Sequence, residues 1–282
     1  MPINKQNTGI GNNNSSTNSS LHTTPGSNTT VPGNQTITSS ISGQNNSTIL
    51  FTISGIDPIP TVTGLPEPTA TIAGNTMTTL GTHENKEYSI LALGDSYTIG
   101  ESVPASQRYP VQLVDSLNKL NYNFKTPKII ARTGWTTNEL KTAIKADGDT
   151  SKYDFVFLLI GVNNQYRGYS IVDYRSEFKE LLSTALGFAG NKKSHVIVVS
   201  IPDYGYTPFG NSNKTSISSG IDQFNAVNKE ETQLAGVIYV NITNISRSSE
   251  SGLVAGDGLH PSGKQYKLWA GLILPEIIKN IP

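Results

Sequence analysis

From Tyr88 onward short apolar runs alternate with amphipathic stretches, and this alternation constrains the fold more than any other feature of the chain. The apolar runs are Tyr88 to Leu93, Lys128 to Ala131, Tyr153 to Ile160, Val196 to Ile201 and Val237 to Asn241. Helical patterns lie between them, near Tyr109 to Leu120, Thr137 to Ala146, Val172 to Leu186 and Ile221 to Leu234. Five strands separated by crossover helices predict a parallel sheet, because each parallel connection has to pass back over the sheet and a helix is the usual way. The segment Ser262 to Asn280 predicts a final helix, with Tyr266, Trp269, Leu272 and Ile273 on its buried face and a kink at Pro275. In such a sheet the functional loops gather at the carboxyl ends of the strands.

Composition divides the chain in two. Residues 1–80 hold the charged residues Lys5, Asp57 and Glu67 and the aromatic Phe51, and little else that could build or solubilise a core. The Asn/Ser/Thr/Gly-rich stretch that begins at Asn12 cannot bury enough apolar surface to offset chain entropy. Residues 1–85 therefore read as a disordered, low-complexity leader or stalk, with Ile49 to Ile53 as an added strand or sticky segment and Pro58, Pro60, Pro66 and Pro68 marking an extended linker. Residues 86–282 read as one α/β domain.

Several function classes fall away on composition. The 21 basic and 21 acidic residues balance, and no basic cluster is interleaved with aromatics, so nucleic acid is not an expected partner. No run reaches the roughly 18 apolar residues of a membrane span, and the first residues lack the apolar core of a signal peptide. Cysteine is absent, which excludes disulfides and a thiol nucleophile. A long polar leader is typical of a stalk, which leans the chain toward an extracytoplasmic location.

The chemistry-bearing residues sit just past the strand candidates. Gly94-Asp95-Ser96-Tyr97 follows the first apolar run, where a sharp turn lifts the Ser96 hydroxyl out toward a substrate. Far downstream, Asp257-Gly258-Leu259-His260-Pro261 offers a base: a short turn can bring the Asp257 carboxylate onto the His260 imidazole. The other histidines lack such a partner, since His22 lies in a polar tract, His83 in the linker and His195 at a strand start. Gly134 follows the second run, and its missing Cβ lets a backbone N–H come close to a ligand. Asn163 follows the third run and offers a side-chain NH₂. Donors of these two kinds are what the oxyanion of an acyl-transfer intermediate requires.

The four blocks, in this order, resemble those of the SGNH hydrolases, also called the GDSL esterase and lipase family. The resemblance implies a flavodoxin-like three-layer α/β/α sandwich with a five-stranded parallel sheet. It assigns the nucleophile to Ser96, the base and its orienting carboxylate to His260 and Asp257, and the oxyanion hole to Ser96, Gly134 and Asn163. No metal or cofactor is implied. Two positions depart from the family pattern: Asn164 stands where the third block usually has Asp, and Tyr97 replaces the Leu of the GDSL name.

Trp135, Tyr166, Arg167 and Tyr204 lie beside these positions, and aromatic rings with an Arg suit a sugar. The expected activity is hydrolysis of a carboxylic ester through an acyl-Ser96 intermediate, with a small acyl group, acetyl above all, on a carbohydrate or similar small substrate. The alternatives are a lipid esterase, lysophospholipase or thioesterase of the same family and, in a different class, a noncatalytic surface binding protein tethered by its leader.

Overall fold

The structure is a computed structural model that describes residues 86–281. The expectations for residues 1–85, the leader, the Ile49 to Ile53 segment and the linker, lie outside the described residues. The described residues form seven strands: β1 (Glu87–Tyr88), β2 (Ile90–Gly94), β3 (Asn123–Phe124), β4 (Lys128–Ala131), β5 (Phe155–Leu159), β6 (Val196–Val199) and β7 (Ile238–Val240). The helices are α1 (Ser96–Ile99), α2 (Tyr109–Lys119), α3 (Thr137–Asp147), α4 (Val162–Tyr166), α5 (Ile171–Phe188), α6 (Lys214–Ala235), α7 (Thr243–Ser246) and α8 (Gly263–Asn280).

Five strands form one parallel sheet in the order β4-β2-β5-β6-β7. Every residue of β2, β5 and β6 is buried, so the sheet has to be covered on both faces. The chain steps from β2 outward to β4 and then returns across β2 to β5, β6 and β7. With right-handed crossovers, a reversal of direction sends the connecting helices to opposite faces. The helix contacts follow that split: α2 packs with α8, while α5 packs with both α3 and α6. This is the three-layer α/β/α sandwich that the resemblance implies, built on the parallel sheet that the alternation predicts.

Local signals place the helix starts. Thr136 and Glu139 close a capping box at α3, and the Ser170 and Ser262 side chains accept N–H bonds at the starts of α5 and α8.

Three details differ from expectation. The run Tyr88 to Leu93 is not one strand: Ser89 turns aside to donate from its N–H and hydroxyl to Asp154 Oδ2 at 2.9 and 3.0 Å, and β1 pairs with β3 in a separate two-stranded sheet. Leu272 is 46% exposed, because it lies about 120° around the helix from the stripe formed by Tyr266, Trp269, Ala270, Ile273 and Ile277. Finally, α6 begins seven residues before Ile221, its first turns held by buried Ile217.

Candidate active site

The loops leaving β2, β4 and β5 converge at the carboxyl edge of the sheet, where the strand order reverses about β2. They meet the Asp257–His260 turn around a cavity of about 190 Å³. Ser96, Gly134, Asn163 and His260 all line it, together with Tyr97, Thr133, Val162, Tyr166, Tyr204, Phe209 and Leu259.

Ser96 is the first residue of α1. Asp95 caps that turn, its Oδ1 accepting the Tyr97 N–H at 3.0 Å, and Gly100 ends it with a left-handed backbone. The first N–H groups of a helix have no partner within it, so the Ser96 amide is a donor aimed away from the helix body.

The Asp257 carboxylate is built into its turn. Oδ1 accepts the backbone N–H of Leu259 at 2.9 Å and of His260 at 3.0 Å. Oδ2 lies 2.6 Å from His260 Nδ1. A carboxylate can only accept, so Nδ1 carries the proton and Nε2 is left as the basic nitrogen. Burial pushes the Asp257 carboxyl up, but hydrogen bonds from Ser102, His260 and the two N–H groups outweigh it and hold the group well below the usual carboxylate range. Tyr97 packs edge-on against the His260 ring with centroids 5.9 Å apart, and Trp269 supports Tyr97 from behind at 6.2 Å. The aromatic at the position named for Leu thus sits against the imidazole. Among the described residues no hydrogen bond joins Ser96 Oγ to His260; such contacts are commonly long before a substrate arrives.

Gly134 and Asn163 are held just as closely. Gly134 has φ +87°, a backbone that side chains with a Cβ rarely adopt. Arg167 Nη2 donates to the Gly134 carbonyl at 2.7 Å, and Nη1 reaches Glu139 Oε2 at 3.3 Å. Asn163 Nδ2 donates one hydrogen to the Trp135 carbonyl at 3.0 Å, which fixes the amide and leaves the second hydrogen unspent. Together these groups can bind an oxyanion.

Behind Asn163, Asn164 is buried and knits α4 to α3. Its Oδ1 accepts the Thr137 N–H at 3.1 Å, and its Nδ2 donates to Thr137 Oγ1 at 2.7 Å. The Thr137 hydroxyl passes its own hydrogen to Glu177. The amide nitrogen at this position has a definite task that a carboxylate cannot perform.

Of the residues expected to touch substrate, Tyr166 and Tyr204 line the cavity, with Tyr166 59% exposed at the rim. Tyr204 is anchored by its hydroxyl, which donates to Gln165 Oε1 at 2.9 Å. Trp135 and Arg167 do not line it: Trp135 packs on the core and Arg167 braces the Gly134 loop. His195 is far from this chemistry, stacked on Phe155 with Nδ1 on the Asp154 carbonyl.

Sequence reasoning missed Phe209, Leu259, Val162, Thr133 and Ser102. Leu259 and Val162 lie inside recognised blocks and were readable by adjacency. Phe209 comes from the loop after β6, which carries no signal of its own. It completes an aromatic cluster with Tyr166 and Tyr204, ring centroids 6.1 to 6.4 Å apart.

The fold and the pocket define the class: an α/β/α sandwich with a hydrolase-type site at the carboxyl edge of a five-stranded parallel sheet. Residues 92–268 match the GDSL-like Lipase/Acylhydrolase family, and the chain belongs to it: it is a carboxylic ester hydrolase. No curated protein matches the chain. Among solved structures it is similar to TesA, with a TM-score of 0.56 at 16% identity over 68% of this chain and 99% of TesA. It is similar to the lipase/acylhydrolase from Enterococcus faecalis at TM-score 0.54 and 20% identity, covering 69% of this chain and 97% of that one. A variant of an acetyl-xylooligosaccharide esterase from Geobacillus stearothermophilus gives TM-score 0.54 and 20% identity over 67% and 94% of the two chains. At these identities the likeness is one of fold.

Proposed function

We propose that the chain is a serine esterase that cleaves small acyl groups, acetyl above all, from a carbohydrate or similar small acceptor through an acyl-Ser96 intermediate. The observation that carries this reading is the 2.6 Å bond between Asp257 and His260 at the wall of a cavity that Ser96, Gly134 and Asn163 also line.

The chemistry follows from those groups. His260 Nε2 takes the hydroxyl proton as Ser96 Oγ attacks the ester carbonyl carbon. The oxyanion is met by the N–H groups of Ser96 and Gly134 and by the free hydrogen of Asn163. Collapse breaks the ester C–O bond, and His260 returns the proton to the departing alcohol. Water, deprotonated by the same nitrogen, then attacks the acyl carbon and frees Ser96. Asp257 stabilises the imidazolium in both halves.

Cavity size supports the small acyl group. About 190 Å³ is below the roughly 300–1,000 Å³ typical of pockets for drug-sized ligands, and its aromatic lining, exposed Tyr166 and Phe209 over buried Tyr204, suits the face of a sugar ring. The presence of an acetyl-xylooligosaccharide esterase among structures of the same fold agrees with this choice.

Hydrolysis of a p-nitrophenyl ester series, acetate through long chains, by the wild type and Ser96→Ala tests both halves. The expected outcome is highest kcat/KM on the short esters and loss of turnover by at least about a thousandfold in the variant. Retained turnover would remove Ser96 as nucleophile, and a preference for long chains would move the assignment to lipid esters.

A further inference from the structure

Ser102 stands out as a non-glycine residue with a left-handed backbone, φ +64°, in the turn that follows α1. A serine held there carries strain, and strain of this kind persists where the surroundings over-determine it. Its side chain makes one hydrogen bond among the described residues. Oγ donates to Asp257 Oδ2 at 2.6 Å, the same oxygen that faces His260 Nδ1 at 2.6 Å, across 155 residues of sequence. The same turn is tied to the other loops of the site. The N–H groups of Gly100 and Glu101 both donate to the Ser96 carbonyl at 3.0 Å, and the Thr133 hydroxyl donates to the Glu101 carboxylate.

We propose that Ser102 is a positioning residue for ester hydrolysis: its hydroxyl fills the last acceptor site of the Asp257 carboxylate and fixes Oδ2 against the His260 imidazole. The inference rests on the Ser96, His260 and Asp257 reading given above.

The geometry explains why the contact matters. Two backbone N–H groups hold Oδ1, so Oδ2 is the oxygen left to face the imidazole, and beside His260 Nδ1 it is the Ser102 hydroxyl that reaches it. Asp257 has 31% of its side-chain surface open to solvent, so water would compete for Oδ2 if Ser102 were removed. Ser102 holds the carboxylate plane in line with the Nδ1–H, which keeps Nε2 turned toward the nucleophile. The turn thereby links the nucleophile, the oxyanion loop and the acid through one short segment.

Two variants separate this role from a structural one. Ser102→Gly relieves the left-handed strain and removes the hydroxyl, whereas Ser102→Ala removes the hydroxyl and keeps the strain. Both are expected to lower kcat on p-nitrophenyl acetate about tenfold with KM unchanged, the loss of one charge-assisted hydrogen bond acting in the transition state. The Ser102→Gly protein is expected to melt no lower than the wild type. In an Asp257→Ala background, Ser102→Gly is expected to change the rate of phosphonate labelling by less than about twofold, because the group it acts through is gone. Wild-type kcat in Ser102→Gly, or a further tenfold loss in the Asp257→Ala background, would overturn the assignment. Either result is distinct from failure of the triad reading, which would show as hydrolysis retained by Ser96→Ala.

Discussion

At Asn164 a single N–H decides how a buried network is wired. The Thr137 hydroxyl has one hydrogen and gives it to Glu177, so its lone pair needs a donor, and Asn164 Nδ2 supplies it at 2.7 Å. Asn164→Asp would set an acceptor against that lone pair or pull the hydrogen away from Glu177. Either change leaves a buried polar group unpaired, at a cost of about 1–3 kcal/mol. The expected result is a lower denaturation midpoint at neutral pH that recovers as pH falls and the new carboxylate protonates, read by urea titration at several pH values. Equal stability of variant and wild type at neutral pH would show that the amide is dispensable. The departure from the family pattern at this position is thus matched by a partner, Glu177, that accepts the relayed hydrogen.

Among the elements, α4 depends on how the chain leaves β5. Gly161 has φ +127°, and a Cβ there would lie 2.4 Å from the Tyr174 hydroxyl, which itself sits 3.0 Å from the Ile160 carbonyl and 2.5 Å from Asn228 Oδ1. Gly161→Ala is expected to cost about 2–4 kcal/mol and to lower esterase activity as Asn163 is displaced, measured as a joint fall in melting temperature and kcat. An alanine variant with unchanged melting temperature and kcat would contradict this account of the turn. The five sheet strands were legible because each is an apolar run bounded by turn formers, and Ser96, Gly134 and Asn163 were legible because each follows one. Asp257 and His260 were legible as a pair three residues apart. What stayed hidden depended on partners distant in sequence: Asp154 breaking the first run at Ser89, Ile217 holding a Ser-rich turn in α6, Phe209 arriving from a featureless loop, and Ser102 meeting Asp257. Trp135 and Arg167 were adjacent in sequence to the site but are spent on packing and on the Gly134 carbonyl.

For the whole molecule, the buried Asp95 makes stability depend on pH in an unusual direction. Burial pushes its carboxyl up to about 7 against the opposing Tyr97 N–H bond, and its Oδ2 has no hydrogen-bond partner among the described residues. An unfolded Asp ionises near 3.9. Between about pH 4 and 7 the unfolded chain has therefore lost a proton that the folded chain keeps, so this group's contribution falls as pH rises, by on the order of 4 kcal/mol in total, and flattens above 7. His195, pushed down by burial, acts in the opposite direction near pH 6.5, so the comparison has to be with a variant. Asp95→Asn keeps a good helix cap. The stability difference between wild type and this variant is expected to favour the wild type more at pH 5 than at pH 7.5 by about 2.5 kcal/mol, and parallel pH curves would contradict it. The molecule as a whole is a parallel-sheet ester hydrolase, and its proposed reaction runs through one hydroxyl. Treatment with a serine-directed phosphonate, followed by peptide mass spectrometry, tests that assignment most directly. The account predicts one adduct per chain, on Ser96, formed as esterase activity disappears and absent from Ser96→Ala; activity lost with an adduct on another residue, or full activity without Ser96, would contradict it.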